Sequence, residues 1–185
     1  MGVGRVAKVK GTNVLGTVKA LKAYREQATA KLPERLMHYL DDRILVSSWY
    51  PEVDQIEMLR VLASLLPRTP SPWPLMGRMA AAQDLASVYR NQIRPDSPQQ
   101  SLLASASIWR NYHDTGEMAA TVEGPTAVLL RLRGYHGACK EMCEILGGYL
   151  GEMAAQAGGR DVTATKLDCV LKGQPQCSWR IAWSK

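Results

Sequence analysis

The chain has 185 residues, of which 46% are hydrophobic and 22% are charged, and these values suit one folded domain with one hydrophobic core. They exclude a disordered tail, a collagen-like repeat and a coiled-coil rod. No apolar run approaches the roughly 18 to 20 residues of a membrane-spanning helix. The first residues lack the apolar block of a secretory signal peptide. The sequence therefore predicts a cytoplasmic protein with no membrane span.

The net charge of +6 is concentrated near the N-terminus. Residues 1–31 carry one acidic residue, Glu26, and seven basic residues: Arg5, Lys8, Lys10, Lys19, Lys22, Arg25 and Lys31. Such a segment can bind phosphates, but a solvated helix face explains it more simply, because no helix-turn-helix or RNA-binding signature accompanies the charges. Nucleic acid is therefore not an expected partner.

The first two thirds of the chain have helical patterns. Helices are predicted from residue 18 to Pro33, in a short segment after Pro33, and over 51–66, 75–93 and 97–112. The helix over 51–66 shows apolar residues at a period of 3.6. Ser97 suits the cap of the last helix and Pro98 its first turn. The four prolines between Pro67 and Pro74 predict a loop.

The pattern changes to strands after Gly116. Strands are predicted over 118–123, 126–133, 161–171 and 176–184, and a helix over 137–157 that ends at two glycines. The predicted fold class is α+β, with N-terminal helices packed on a four-stranded antiparallel sheet of β-β-α-β-β order. We expect one domain over 1–185, made of a basic segment (1–15), a helical part (16–115) and the β-β-α-β-β part (116–185).

All four cysteines lie in the last third of the chain. Cys139 and Cys143 are four residues apart on the predicted helix and would share one face. Cys169 and Cys177 are symmetric about Gly173, so a hairpin that turns there places them opposite each other. The four sulfurs can then meet in a tetrahedral zinc site. A disulfide between Cys169 and Cys177 and four separate buried cysteines are alternatives that the spacing leaves open.

The end of the chain resembles the 4-vinyl reductase domain. The residues that carry the resemblance are the cysteine-bearing helix, its end at Gly158 and Gly159, and L-D-C-V-L-K-G-Q-P-Q-C-S-W-R-I-A-W from Leu167 to Trp183. That family is related to the heme nitric-oxide-binding domain and to the vesicle-tethering TRAPP subunits, and the resemblance implies their NO-signalling/Golgi-transport ligand-binding fold. The whole chain is also similar to an uncharacterised paralogous family of myxobacterial proteins, through K-G-T at Lys10–Thr12, S-W-Y-P at Ser48–Pro51 and W-R-N-Y-H-D-T-G at Trp109–Gly116.

The resemblance implies a structural zinc ion held by Cys143, Cys169 and Cys177. Aromatic-sensing members of the family supply a glutamate as a further ligand, but this chain has Lys166 at that position. An ammonium group cannot coordinate zinc, so Cys139 is the expected fourth ligand and His136 the reserve.

The resemblance also implies an apolar ligand chamber. The candidate ligand-binding residues are Trp49, Tyr50, Trp109, Tyr112, His113 and Tyr135. Heme is not expected, because the propionate-binding pattern Y-x-S-x-R is missing from the sequence. No catalytic motif is present, and zinc surrounded by four cysteines has no open position, so we do not expect an enzyme.

The sequence thus predicts a sensor or adaptor that binds a small hydrophobic or aromatic molecule. Its signal would pass through a homodimer or a protein partner, since no output domain is attached. The alternative is a TRAPP-like interaction module with a closed core. A cavity of several hundred cubic ångströms with polar groups at one end would favour the sensor.

Overall fold

The structure is a computed structural model that describes residues 6–67, 70–87 and 90–184. Arg5 of the basic segment, residues 68–69 of the predicted loop, residues 88–89 of the predicted fourth helix and Lys185 lie outside the described residues. The chain divides into two compact units. The first unit contains Met1–Pro72 and Asn111–Thr115, and the second contains Trp73–Arg110 and Gly116–Lys185. The organisation as one domain with a boundary at residue 115 stays a prediction.

The first unit is mainly helical and contains a small sheet. Its elements are β1 (Lys8–Lys10), α1 (Gly11–Ala23), α2 (Arg25–Thr29), a 3-10 helix (Glu34–Leu40), β2 (Trp49–Pro51) and α3 (Glu52–Leu65). Strands β1 and β2 pair antiparallel, and the Lys10 amide donates a hydrogen bond to the Tyr112 carbonyl at 2.8 Å. The sequence did not predict these strands, because three residues are too few to show alternation.

The second unit begins with two helices. They are α4 (Trp73–Ala86) and α5 (Pro98–Ser107), with 3-10 turns at Arg90–Gln92 and Trp109–Asn111. Ser97 and Pro98 occupy the predicted positions at the start of α5. Helix α5 ends earlier than predicted, since the chain tightens into a 3-10 turn at Trp109.

The rest of the second unit builds a four-stranded antiparallel sheet. The elements follow as β3 (Glu117–Val122), β4 (Ala127–Arg133), α6 (Lys140–Gln156), β5 (Arg160–Lys166), a 3-10 turn (Val170–Lys172) and β6 (Cys177–Ser184). The order across the sheet is β3-β4-β6-β5, so β5 is an edge strand. The prediction of an α+β protein with a four-stranded antiparallel sheet is confirmed.

The central strands supply the sheet side of the core. Leu130 of β4 pairs with Trp179 of β6, and both are fully buried. Helix α6 contributes Leu150 and Met153 to the same core and contacts β5 and β6. This pairing places the beginning of α6 against the beginning of β6.

Helices α4 and α6 cross at glycines. A Cβ atom at Gly148 would overlap the Pro74 carbonyl oxygen, and one at Gly77 would overlap the Ile145 carbonyl oxygen. The two backbones therefore approach each other more closely than any other residue type allows.

The strand before the last turn is shorter than predicted. Strand β5 ends at Lys166, and the Lys172 amide donates to the Cys169 carbonyl at 2.9 Å to form the 3-10 turn. Gly173 ends this turn with a φ of +79°, a conformation that favours glycine. Within the described part of the chain, no helix is long and apolar enough to cross a membrane.

Candidate functional site

Three of the four cysteines meet beside the first turn of α6. The Cys143 Sγ lies 3.9 Å from the Cys169 Sγ and 3.8 Å from the Cys177 Sγ. Cys143 comes from α6, Cys169 precedes the 3-10 turn, and Cys177 begins β6. All four cysteines are thiols with no disulfide. The hairpin thus brings Cys169 and Cys177 to the same place.

Cys139 is not part of this thiol cluster, which consists of Cys143, Cys169 and Cys177 among the described residues. Helix α6 begins at Lys140, three residues later than predicted. Cys139 is its N-cap and has an extended backbone, with φ −145° and ψ 170°. It therefore does not stack one helical turn below Cys143, as the sequence predicted. The expected meeting of four sulfurs does not occur.

The environment shifts the pKa of two thiols in opposite directions. Burial raises the pKa of Cys143 to about 12, although the positive charge of Lys166 opposes the rise. For Cys169, burial also acts to raise the pKa, but a hydrogen bond from the Leu171 backbone and the neighbouring thiols outweigh it and the pKa is lowered. The Cys143 thiol is therefore protonated at neutral pH.

Lys166 lies on the inner face of the sheet, although lysine usually faces water. It is the last residue of β5 and pairs with Trp179 in β6. Its Nζ lies 3.4 Å from the Trp179 ring centroid, and no hydrogen-bond partner for this buried atom is found among the described residues. The Trp179 ring is fixed by its Nε1, which donates to the Cys143 carbonyl at 3.0 Å. Lys166 is thus a half-buried residue whose Nζ is buried against an aromatic face.

A cavity of about 490 Å³ opens beside Lys166. Helix α6 forms one wall with Cys143, Glu144, Gly147, Gly148, Gly151, Glu152 and Ala155, and the other walls come from Pro74, Arg78, Gly159, Asp161, Val162, Ala164, Lys166 and Trp179. This volume lies in the range of small-molecule sites, roughly 300 to 1,000 Å³. The lining combines apolar and charged side chains, and it includes Cys143 of the thiol cluster.

The six predicted ligand-binding residues lie elsewhere. In the second unit, Trp109 and Tyr135 form an edge-to-face pair with ring centroids 5.2 Å apart. In the first unit, Trp49 is exposed with the Lys10 Nζ above its ring, and the Tyr50 hydroxyl accepts a hydrogen bond from the Leu45 amide.

Tyr112 and His113 complete the set in the first unit. The Tyr112 carbonyl accepts from the Lys10 amide, and the His113 Nδ1 lies 2.9 Å from the Glu52 Oε1. Glu52 is 1% exposed and His113 5% exposed, so they form a buried polar pair. None of the six residues lines the 490 Å³ cavity, and their role in binding a ligand stays a prediction.

The sequence analysis missed the residues that create the cavity. Gly147 and Gly151 were counted only as part of a helix, yet glycine in a helix interior costs about 1 kcal/mol relative to alanine. Their spacing, with Gly148 between them, was a signal of close approach or of open space along α6. Lys166 was noticed only because it cannot bind zinc, and Glu52 had no signal because acidic residues are common in a first helical turn.

Comparison with known proteins identifies the fold. No protein-family model matches the chain, and no curated protein matches it. Among the solved structures 27 chains match. A variant of the Tt H-NOX domain has 11% identity and a TM-score of 0.68, with 95% of both chains covered. An oxygen-binding H-NOX domain related to soluble guanylate cyclases has 12% identity and a TM-score of 0.66, also with 95% of both chains covered.

A third neighbour is an H-NOX protein from S. oneidensis, solved in the Fe(II)NO state. It has 12% identity and a TM-score of 0.64, and the match covers 95% of this chain and 99% of that one. Titles of other neighbours name heme and its porphyrin distortion. At identities this low, the likeness shows the fold alone.

The prediction of a structural zinc ion is wrong. The cofactor that the titles of the structural neighbours name is heme, not zinc. In the structure three thiols meet and not the expected four, because Cys139 is the N-cap of α6 and lies outside the thiol cluster.

The cavity does not fit heme either. Its lining contains no histidine among the described residues and includes the carboxylates of Glu144, Glu152 and Asp161, which would repel heme propionates. His38 and His136 are exposed in the structure. The chain thus has the fold of the H-NOX domains, and the lining of its 490 Å³ cavity does not suit heme.

Proposed function

We propose that the protein is a non-enzymatic sensor or adaptor domain whose cavity beside α6 binds a small organic molecule. The observation that carries this proposal is the 490 Å³ cavity, whose lining combines apolar side chains with the lysine whose Nζ is buried, Lys166. The H-NOX fold over 95% of the chain supports it, because the neighbours include an oxygen-binding domain. The signal would pass to a protein partner or to a second copy of the chain.

The arrangement of side chains favours binding over catalysis. Cys143 is the nucleophile nearest the cavity, but burial raises its pKa to about 12, and a protonated thiol is a weak nucleophile. The imidazole of His113, the buried histidine, is paired with Glu52 in the other unit, so it is not assigned as a base for Cys143. This chemistry supports a non-enzymatic role.

The thiol cluster supports the kinship with the 4-vinyl reductase domain that the C-terminal motif suggests. The cytoplasmic location expected from the sequence stays part of this proposal.

A TRAPP-like interaction module is the second candidate. It predicts a core packed shut, whereas the second unit contains a cavity large enough for a metabolite. The exposed apolar residues of the first unit, among them Leu45, Val46 and Val53, are the observation that keeps this candidate.

The test is a thermal-shift screen of the full chain against aromatic and lipid-like compounds. Gly151→Met would place a side chain in the cavity, because Gly151 lines it and a Cβ there lies at ordinary contact distance, 3.7 Å, from the Ala164 Cβ. A ligand of the cavity should raise the Tm of the wild type but not that of Gly151→Met. The control is Gly16→Met, where a Cβ has no neighbouring atom within 4 Å, and its Tm should rise as in the wild type. A screen in which no compound stabilises the wild type would contradict the proposal.

A further inference from the structure

The fold does not explain why the Nζ of Lys166 is buried. Transfer of an ammonium group out of water is unfavourable unless the group is paired and hydrogen-bonded. The contact with the Trp179 ring offsets part of this cost, but the Nζ has no hydrogen-bond partner among the described residues. A buried charge without a partner is a common feature of sites whose partner is a ligand.

The cavity meets this cation with apolar surface. Val162, Ala164 and Trp179 line the sheet side, and the helix side is formed by Gly147 and Gly151. A Cβ at Gly151 would lie at ordinary contact distance from Ala164, so helix packing does not require glycine there. The two glycines keep open a space that alanine would narrow.

The acidic residues of the cavity already have partners. Glu144 pairs with Lys140, Glu152 accepts from Gln156, and Asp161 accepts from Ser184. Their negative charges remain, so they repel a dianion more strongly than a monoanion, and the cations of the lining, Lys166 and Arg78, are the groups that can attract one negative charge. A ligand with a single negative charge therefore suits this lining better than a dianion.

We propose that the cavity binds an organic monocarboxylate with an apolar body, and that Lys166 determines this specificity by receiving the carboxylate. The lysine stem is flexible, so its Nζ can turn from the Trp179 ring toward the ligand while the ligand body packs on Val162 and Ala164. This inference rests on the proposed function, since it names the ligand class of the same cavity.

A structural role for Lys166 is the alternative. An inward-pointing charge on an edge strand prevents sheets from joining at their edges, and β5 is such a strand. This role predicts that removal of the charge changes self-association and leaves ligand preference unaffected.

The experiment compares acids with neutral isosteres on the full chain by calorimetric titration. The probes are 4-phenylbutyrate and decanoate, their primary amides, and phenylsuccinate as a dianion. We expect each acid to bind about ten- to hundredfold more tightly than its amide, with phenylsuccinate weaker than 4-phenylbutyrate. Lys166→Met should remove the preference for the acid and retain binding of the amide. Lys172→Met, an exposed lysine in the adjacent turn, should leave the preference unchanged.

Each contrary result points to a different error. If the wild type binds acid and amide equally well, the proposal of a carboxylate ligand is wrong, but the proposal of a ligand-binding domain stands. If Lys166→Met still prefers the acid, Lys166 does not receive the carboxylate. The same conclusion follows if Lys166→Met differs from the wild type only in its oligomeric state on size exclusion. If neither the probes nor the wider thermal-shift library bind, the proposed function itself fails.

Discussion

Asp84 lies on α4, where the Tyr149 hydroxyl of α6 donates a hydrogen bond to its Oδ2 at 3.4 Å. Burial raises the pKa of Asp84 from 3.8 to about 6, and the hydrogen bond from Tyr149 limits the rise. The folded state therefore binds a proton more tightly than the unfolded chain does. Its free energy of unfolding gains from this group at low pH and loses that gain as the pH rises from about 4 to about 6.

Asp84→Asn should remove this pH dependence. At pH 7.5 we expect the variant to be more stable than the wild type by about 1 to 2 kcal/mol, after allowance for solvent screening of a half-buried group, and at pH 4 the difference should vanish. Urea unfolding of both proteins at the two pH values measures it. In Tyr149→Phe the pKa of Asp84 should rise further, so the loss of stability should occur at higher pH than in the wild type. A wild type whose free energy of unfolding does not change from pH 4 to 7 would contradict the raised pKa of Asp84.

For single residues, the sequence indicated which residues take part in a site more reliably than it indicated what their side chains contact. Cys143, Cys169 and Cys177 could be grouped because a helix and a hairpin each have a fixed period. The place of Cys139 could not be fixed, since a shift of one residue in the start of α6 turns a side chain out of the helix. The stacking of Lys166 on Trp179 depends on strand register, which one sequence does not reveal.

Helices α4 and α6 show what adjacent glycines do within one element. Gly148 faces α4, where its Cα approaches the Pro74 carbonyl, whereas Gly147 faces the Trp179 side chain at ordinary contact distance. One turn of one helix therefore holds a glycine that packing requires and a glycine that it does not.

The paired variants Gly148→Ala and Gly147→Ala should differ in sign. Gly148→Ala forces the two helices apart and should lower the free energy of unfolding by about 3 kcal/mol or more. Gly147→Ala gains helix propensity and should be neutral or stabilising by up to about 1 kcal/mol. Chemical denaturation at neutral pH gives both values, and a Gly148→Ala variant as stable as Gly147→Ala would contradict the crossing of α4 and α6 at Gly148.

Most elements were predictable because their signals are local. Pro98 after Ser97, the 3.6-residue period of α3 and the alternation in β4 each specify one element without tertiary information. The short strands β1 and β2 were not predictable, because non-local hydrogen bonds decide them. The 3-10 turn before Gly173 was missed although its bonds are local, such as the one from the Lys172 amide to the Cys169 carbonyl.

Across the whole chain, the likeness to H-NOX domains covers 95% of the residues at 11% identity. A backbone arrangement can persist at this identity while the chemistry of its sites changes completely. The C-terminal motif led to the fold that the structural neighbours share, but the zinc ion inferred with it is not the cofactor named for those neighbours.

We therefore expect hemin not to bind as an axially ligated cofactor. Titration of hemin into the purified protein should give the spectrum of unligated heme, with no sharpened Soret band. His113→Ala serves as the control, because His113 is the buried histidine of the structure. A stoichiometric Soret band in the wild type that is lost in His113→Ala would show that the heme chemistry of the fold survives here.

The glycine crossing of α4 and α6 limits how the second unit can respond to a guest in its cavity. Two backbones in contact at Pro74 and Gly148 cannot be pressed closer together, so this wall cannot yield toward α4. The opposite wall is β5, which borders the sheet and has an irregular register between Arg160 and Thr163. A ligand that enters the cavity should therefore displace β5 outward, together with the segment between β5 and β6 that carries Cys169 and Cys177. This segment would then be the part of the second unit that signals whether a ligand is bound.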